Sequence, residues 1–308
     1  MTDQHATQES FPMPYDFRPV RCNICGVDSA RVMGYRGGEA HRAKLGVRCR
    51  VVRCTRCGLI YPNPMPFPRE APDQHYQNPE EFFAHQATEV KHHSGLQLME
   101  QFEQHLGGKG RFLDVGCGRG ELVAAAQERG WQAEGVDVST HFVRYARERY
   151  GVTAHAGGLD DQRFPDARFD AIAMGAVLEH VYDPRGLLVE AARVLRPGGV
   201  LWIDVPNEAG LFFLVGNLYL RLRGLDWVVN LAPTFPLYHV YGFTPSALRR
   251  VLTHTGFGSI QIVTYAGHSV TPRLGSLSGW VEASASAFVH AFSRWGLGNY
   301  MYAWVRRT

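Results

Sequence analysis

Four cysteines stand in two matching groups, Cys22-Asn23-Ile24-Cys25-Gly26 and Cys54-Thr55-Arg56-Cys57-Gly58. Each C-x-x-C-G is a tight knuckle whose glycine relieves the turn after the second sulfur. Two knuckles can set four thiolates tetrahedrally around Zn²⁺ at about 2.3 Å. A site closed by four sulfurs leaves no position for water, so Cys22, Cys25, Cys54 and Cys57 predict a structural zinc. Neither knuckle opens the helix of a strand–helix–strand unit, which argues against a redox pair. Cys49 stands apart and reads as a spare thiol.

The second chemically capable stretch is Phe112-Leu113-Asp114-Val115-Gly116-Cys117-Gly118-Arg119-Gly120. A short apolar strand ends in alternating glycines and feeds an Ala-rich helical segment, Glu121 to Arg129. Such a turn leaves free N–H groups and the helix dipole open to a nucleotide-like ligand, and glycine lets that ligand approach the backbone. Cys117 sits inside the turn, where its small size matters more than its sulfur. Glu134-Gly135-Val136-Asp137 closes the next strand, which puts Asp137 23 residues beyond Asp114. An acid about 20 residues on can accept hydrogen bonds from ribose hydroxyls.

The spacing G-x-G-x-G after an acid departs from the dinucleotide pattern and resembles motif I of the class I S-adenosylmethionine (SAM) methyltransferases. Further landmarks of that family follow in order: Phe169-Asp170-Ala171-Ile172, Leu178-Glu179-His180-Val181, Val194-Leu195-Arg196-Pro197-Gly198-Gly199 and Pro206-Asn207. Tyr238-His239-Val240-Tyr241-Gly242-Phe243-Thr244-Pro245 resembles the H-x-x-x-F-[ST]-P segment of its small-molecule members. The resemblance covers roughly residues 106–265. It implies that SAM is held by Asp114, Gly116, Cys117, Gly118, Gly120, Asp137, Val138, Gly158, Leu159, Asp160 and Gly175. Two departures stand out. Gly157-Gly158-Leu159 occupies the place where the family often puts an adenine-binding acid, with Asp160 next. Ala176 replaces the acid that precedes Glu-His in ubiquinone-type O-methyltransferases, which argues against a catalytic Mg²⁺.

Methyl transfer from a sulfonium needs alignment, exclusion of water and, for an oxygen or nitrogen nucleophile, a proton acceptor. His239 is the first candidate base and His180 the second, with Glu179 orienting it. Glu179, Tyr182, Tyr238 and Tyr241 are the candidate substrate contacts.

These residues must be positioned by an alternating pattern. Phe112–Val115, Gln132–Val136, Val152–Ala156, Phe169–Met174 and Val200–Val205 read as strands, and Arg119–Arg129, Ser139–Tyr150 and Pro184–Leu195 as helices. Alternation of this kind predicts a parallel sheet covered on both faces, with ligands beyond the strands' C-terminal ends. Ser259–Tyr265 and Asn299–Val305 read as a last antiparallel pair at the sheet edge. The expected fold is therefore α/β: a Rossmann-like, seven-stranded, mostly parallel sheet with a small N-terminal zinc-ribbon-like module. The expected organisation is a flexible start (1–20), a zinc module (21–66), a linker with N-terminal helices (67–105) and a SAM-binding domain (106–308). Insertions on the substrate side are expected at about 207–244 and 267–297. Four prolines in residues 61–68 predict a stiff extended connector. Leu96, Met99, Phe102 and Leu106 predict a helix packed on the core. Residues 275–293 also have a helical pattern. The apolar stretch Leu211 to Val229, broken by Arg221 and Arg223, reads as a capping helix, a substrate lid or a lipid-touching surface.

The bulk composition is that of a globular chain: 45% hydrophobic, 20% charged, net charge +3 over 308 residues. That charge is too small to imply DNA. Residues 21–56 hold nine basic and two acidic residues, a local surplus that fits a solvated face better than a stacking platform for RNA. Met1 to Phe11 has no apolar core, which predicts a cytoplasmic protein, and no stretch is apolar for long enough to span a bilayer. The expected activity is methyl transfer from SAM to a small-molecule acceptor such as a sugar, natural-product or lipid-linked intermediate. O-transfer is favoured, because only the His239 part of the sugar C-methyltransferases' Tyr-His-Glu-His motif is present. The alternatives are an rRNA or tRNA base methyltransferase gripping RNA through the basic zinc module, and a non-catalytic SAM-binding or zinc-mediated interaction protein.

Overall fold

The computed structural model describes residues 15–44, 46–69, 88–231, 239–267 and 291–308. Outside them lie most of the expected flexible start, Phe82 and Phe83, Tyr238, and nearly all of the expected 275–293 helix.

The centre is a seven-stranded sheet. In chain order its strands are β6 (Arg111–Val115), β7 (Gln132–Asp137), β8 (Thr153–Ala156), β9 (Phe169–Gly175), β10 (Leu195–Pro206), β11 (Phe257–Tyr265) and β12 (Tyr300–Arg307). They stand in the order β11-β12-β10-β9-β6-β7-β8. The first five run parallel, and β12 pairs antiparallel with both β10 and β11, as the sequence pattern predicts. The chain reverses its direction of travel across the sheet at β6/β9, the switch point where doubly wound sheets bind ligands.

Alternating side chains build the two faces. Phe112, Ala171 and Ala173 point to one layer with Met99 and Phe102 of α1 (Thr88–Leu106), Val123 of α2 (Glu121–Glu128) and Val143 of α3 (Thr140–Tyr150). Their neighbours Leu113, Ile172 and Met174 point to the other layer. There they meet Leu188 of α4 (Pro184–Val194) and Leu248 and Val251 of α6 (Pro245–His254). Side-chain caps set three helix starts: Ser139 Oγ accepts from Phe142 N (3.1 Å), Asp183 Oδ1 from Gly186 N (2.9 Å) and Thr244 Oγ1 from Ala247 N (3.2 Å). Pro184 and Pro245 occupy first helical positions, where the missing N–H costs nothing.

Residues 15–68 form the small module. β2 (Ala30–Arg36), β3 (Cys49–Cys54) and β4 (Ile60–Pro62) make a three-stranded antiparallel sheet. The proline-rich connector is less passive than expected: Met65–Pro68 is strand β5, paired antiparallel with β1 (Tyr15–Arg18). Its prolines alternate along a two-stranded ribbon, leaving Met65 and Phe67 to carry the N–H groups.

The module shares the main core. Cys22, Ile24, Leu59, Tyr61 and Met65 pack in one buried cluster with Leu178, Val240, Tyr241 and Phe243. Backbone bridges Tyr35–Trp227 and Ile60–Gly242 join it to the segment after β10. That segment carries α5 (Leu211–Leu222), a helix with only Phe213 buried and Leu214, Val215, Leu218 and Leu222 all more than half exposed. Of the three readings of this stretch, a helix buried against the core is the one its exposure disfavours.

Candidate active site

At the end of β6 the glycine turn bends back onto β7. Gly116 N and Cys117 N both donate to Val136 O, at 2.7 and 3.1 Å. Asp137 finishes the clamp: Oδ2 accepts from Gly118 N at 2.8 Å and Oδ1 from Ser139 N at 2.9 Å. Asp137 thus fixes the turn, a role its spacing did not show. Gly116 needs to be glycine twice over, because its φ is 74° and a Cβ there would stand 2.5 Å from Val177 Cγ2. Gly120 caps α2 in the left-handed region, and a Cβ would press on Ala146 at 2.8 Å. Cys117 packs where Gly135 leaves room, so its small size is indeed what the turn uses.

Asp114 is buried beside this turn. Burial, reinforced by the negative charge of Asp137, pushes its carboxyl up to about 8. Two like-charged acids in one dry corner suit a cationic ligand, and the ammonium and sulfonium of SAM are such groups. Lys91 of α1 reaches the same corner, with Glu121, Arg119 and Asp114 acting on its charge, and burial lowers its pKa. Arg119 and Glu121 pair at 2.6 Å with both side chains nearly inaccessible. Neither Lys91 nor this pair was visible as part of the site in the sequence, since α1 shows only an apolar stripe.

After β8, Gly157 N donates to Asp137 O at 2.9 Å, and Gly158 N donates to Asp161 Oδ2 at 2.8 Å. The acid that braces this loop is therefore Asp161, while Asp160 is exposed and Leu159 buried. Val138, 45% exposed directly after Asp137, offers an apolar surface on the same rim. Gly175 ends β9 at the surface, one residue beyond the expected Phe169–Met174. A left-handed turn at Ala176, whose N–H donates to Asp204 O at 2.9 Å, breaks it.

Beyond β9 the chain folds Glu179 and His180 against His239. Glu179 O accepts from Val240 N and Tyr241 N, at 2.8 and 3.1 Å, which docks the His239 loop on this turn. The two imidazoles meet edge to face with centroids 4.7 Å apart, and His180 Nε2 lies 4.0 Å from Glu179 Oε1. Glu179, His180 and His239 form a group with ligand-type atoms all within 4.8 Å of one another, which residues 60 positions apart could not reveal in sequence. Burial, with His180 and Arg36 adding to it, holds His239 down to about 3. It is thus a neutral imidazole at ordinary pH, and its buried Nδ1 has no hydrogen-bond partner among the described residues. Burial also pushes Glu179 up to about 8, so its carboxyl can carry a proton near neutrality.

The tyrosines have different work. Tyr182 donates to Pro66 O at 2.8 Å and stacks on Phe67 at 4.8 Å, and buried Tyr241 donates to Tyr182 O at 3.4 Å. Both hydroxyls donate to backbone oxygens, and Tyr182 thereby ties the module's Pro66 to the turn after β9.

Just after β10, Glu208 is buried and bound by Asn230 Nδ2 at 2.7 Å and by Leu231 N at 3.1 Å. Asn217 of α5 donates to Asn230 Oδ1 at 2.6 Å, and Arg36 Nη1 of the module donates to Asn230 O at 2.5 Å. One buried polar network therefore ties module, insert and sheet together.

The four cysteines of the knuckles converge. Cys22 Sγ and Cys57 Sγ are 3.3 Å apart, Cys25 Sγ and Cys54 Sγ 3.5 Å, and all four sulfurs lie within 4.8 Å. A tetrahedral zinc with bonds of about 2.3 Å wants sulfurs about 3.8 Å apart, so the group fits that ion. Gly26 N donates to Cys22 O at 2.8 Å and Gly58 N to Cys54 O at 3.1 Å, the same turn in both halves. Cys49 is buried away from them and donates to Val47 O at 3.3 Å.

The strand order, the glycine clamp on Asp137 and the acid at Asp114 define a class I methyltransferase fold. A family model described as "Methyltransferase domain" matches residues 113–203. The chain is 30% identical over 176 residues to the ubiquinone biosynthesis O-methyltransferase of Idiomarina loihiensis, covering 54% of this chain and 69% of that one. Its counterpart from Xylella fastidiosa is 32% identical over 155 residues, and there the match spans 60% of the relative and 47% of this chain. A SAM-dependent methyltransferase from Archaeoglobus fulgidus shares the fold, with a TM-score of 0.51 at 20% identity over 74% of this chain and 97% of that one. The chain belongs to the class I SAM-dependent methyltransferases. Among the described residues no helix is long and apolar enough to cross a membrane.

Proposed function

We propose that the protein transfers a methyl group from SAM to a hydroxyl of a small-molecule acceptor. The observation that carries this reading is the His180–His239 pair, packed edge to face with Glu179 in the turn that follows β9, with His239 held as a neutral imidazole. The O-methyltransferase relatives support the choice of oxygen.

When bound, SAM supplies an activated methyl group on a sulfonium. Asp114 and Asp137 would face its cationic and ribose groups, with Gly116, Gly118 and Gly120 admitting it to the backbone. Val138, Gly158 and Leu159 would border the adenine, and Gly175 would leave space for the methionine part. His239 would take the acceptor's proton through its unpartnered nitrogen. His180 would hold the second imidazole against it, and Glu179 would orient His180. A group of one carboxylate and two imidazoles can also hold a divalent ion. Insensitivity of turnover to EDTA, with protein zinc content unchanged, would support acid–base use instead.

The cysteine group would hold a structural zinc, whose loss would loosen the acceptor side through the shared core. Its free thiols fit a reducing, cytoplasmic setting. The exposed apolar face of α5 would meet an apolar acceptor or the lipid that carries one. RNA methylation is less favoured, because Arg36 of the basic module is committed inward to Asn230.

The test is a release assay for demethylated SAM over a panel of phenolic, sugar and lipid-linked hydroxyl acceptors. Acceptor-dependent release that falls in His239→Ala would support the reading. Release from no acceptor, with SAM still bound, would move the protein to a non-catalytic SAM-binding role.

A further inference from the structure

A cleft of about 650 Å³ opens between the module and the insert after β10. One wall is apolar and comes from the insert, where Tyr219, Leu220, Leu225 and Trp227 line it. The other is cationic: Arg36 and Arg42 come from the module, and Arg223 follows the end of α5. No acidic side chain is among its described lining residues. Arg42 and Arg223 are exposed at the rim, and Arg223 Nη1 donates to Tyr219 Oη at 3.1 Å, which aligns it along the apolar wall. Arg36 sits deeper, with a buried Nε that no described group accepts from. Glu208, whose charge acts on Arg36, is already bound by Asn230 and Leu231 N.

Several guanidinium groups beside an apolar wall select for two features in one molecule: an anionic group that guanidinium forks can hold, and an apolar body. Arg36 also lines a second, small pocket together with Leu231 and His239. One side chain therefore borders both the cleft and the histidine pair.

We propose that this cleft binds an amphiphilic small molecule bearing a phosphate or carboxylate, and that such a molecule is the acceptor, its anion held at Arg42 and Arg223 and its hydroxyl directed past Arg36 toward His239. The binding site is read from the cleft itself, and the acceptor role rests on the methyltransferase reading above.

The probe is dodecyl phosphate, kept below its micelle-forming concentration and titrated calorimetrically into the zinc-loaded protein with SAM present. Inorganic phosphate and uncharged dodecyl maltoside are the comparison ligands, and SAM binding is measured on the same samples. Dodecyl phosphate should bind at least about tenfold more tightly than either comparison ligand, since each lacks one of the two features. The double variant Arg42→Gln/Arg223→Gln should weaken dodecyl phosphate at least about tenfold and leave SAM affinity unchanged. The single variant Leu225→Gln, on the apolar wall, should weaken it separately. Equal binding of dodecyl maltoside, or equal affinity in wild type and double variant, overturns the cleft's charge selection. Tight inorganic phosphate alone would replace the amphiphile with a free anion and overturn the proposal. Binding of SAM without dodecyl phosphate overturns the cleft alone. Binding of dodecyl phosphate without SAM overturns the acceptor role and the methyltransferase reading together.

Discussion

Between Asp114 and Asp137 the SAM side is made largely of main chain: a strand end, a glycine turn and N–H groups clamped by one carboxylate. The proposed acceptor side is made of side chains from distant segments: Arg36, Asn230 and Glu208 in one polar network, and His180 and His239 in an edge-to-face pair. A donor common to a whole family can be met by backbone geometry, which tolerates varied side chains. An acceptor particular to one enzyme needs side chains, and those are supplied by whatever packs over the sheet's end. Here that includes the four-cysteine module. The two regions should therefore respond to perturbation separately.

The largest separation is expected in catalysis. His239→Ala should lower turnover by about 10²- to 10⁴-fold, the range for a lost general base, with SAM affinity unchanged in a direct titration. His180→Ala should give a smaller loss. Near-wild-type turnover in both variants would remove the imidazole pair from the mechanism. Next comes the metal. Cys54→Ser should abolish zinc in elemental analysis and lower Tm by about 10 °C or more, since structural zinc contributes directly to folding energy. Because Tyr61 and Met65 share a core with Tyr241 and Phe243, residual folded protein should bind SAM better than it binds acceptor. The reverse order would break the comparison.

A smaller effect belongs to the glycine turn. Gly116→Ala must place a methyl group against Val177 at a positive φ, at a cost of about 1–3 kcal/mol. It should raise the SAM Kd about tenfold and leave zinc content unaltered.

The smallest is a pH effect on the ligand-free fold. Asp114 and Glu208 are pushed up to about 8 and about 7 in the folded protein. Unfolded carboxyls lose their protons near pH 4, so the stabilisation from keeping these protons is full below that pH. It is lost as pH rises through 7 and 8. The Tm should therefore fall by several degrees between pH 5.5 and 8.5. Asp114→Asn, which cannot ionise, should flatten the part due to the SAM corner. A Tm that rises over that interval would contradict the burial of these acids.

The sheet and the glycine turn at its centre were legible because their signals are local. An apolar strand, a glycine turn and an acid at the next strand's end lie within 26 residues of sequence, from Phe112 to Asp137. The loop after β8 was only half legible, because Asp160 and Asp161 are adjacent acids and only the fold decides which accepts from Gly158 N. Lys91 was hidden by a helix that shows only its apolar stripe. The Glu208 network was hidden entirely, since asparagines and a glutamate carry no spacing signal. The docking of Tyr182 on Pro66 and Phe67, and of Tyr241 on Tyr61, was hidden too, since contacts between such distant segments leave no mark in the sequence.

Native mass spectrometry of the zinc-loaded protein with SAM, wild type beside Asp137→Ala, tests the central claim most directly. The account predicts one zinc in both proteins, one SAM in the wild type, and SAM affinity at least about tenfold weaker in the variant. The variant loses the clamp on Gly118 and, with it, the carboxylate proposed to accept from the ribose. A wild type that carries zinc but no SAM, or two proteins that bind SAM equally, would contradict it.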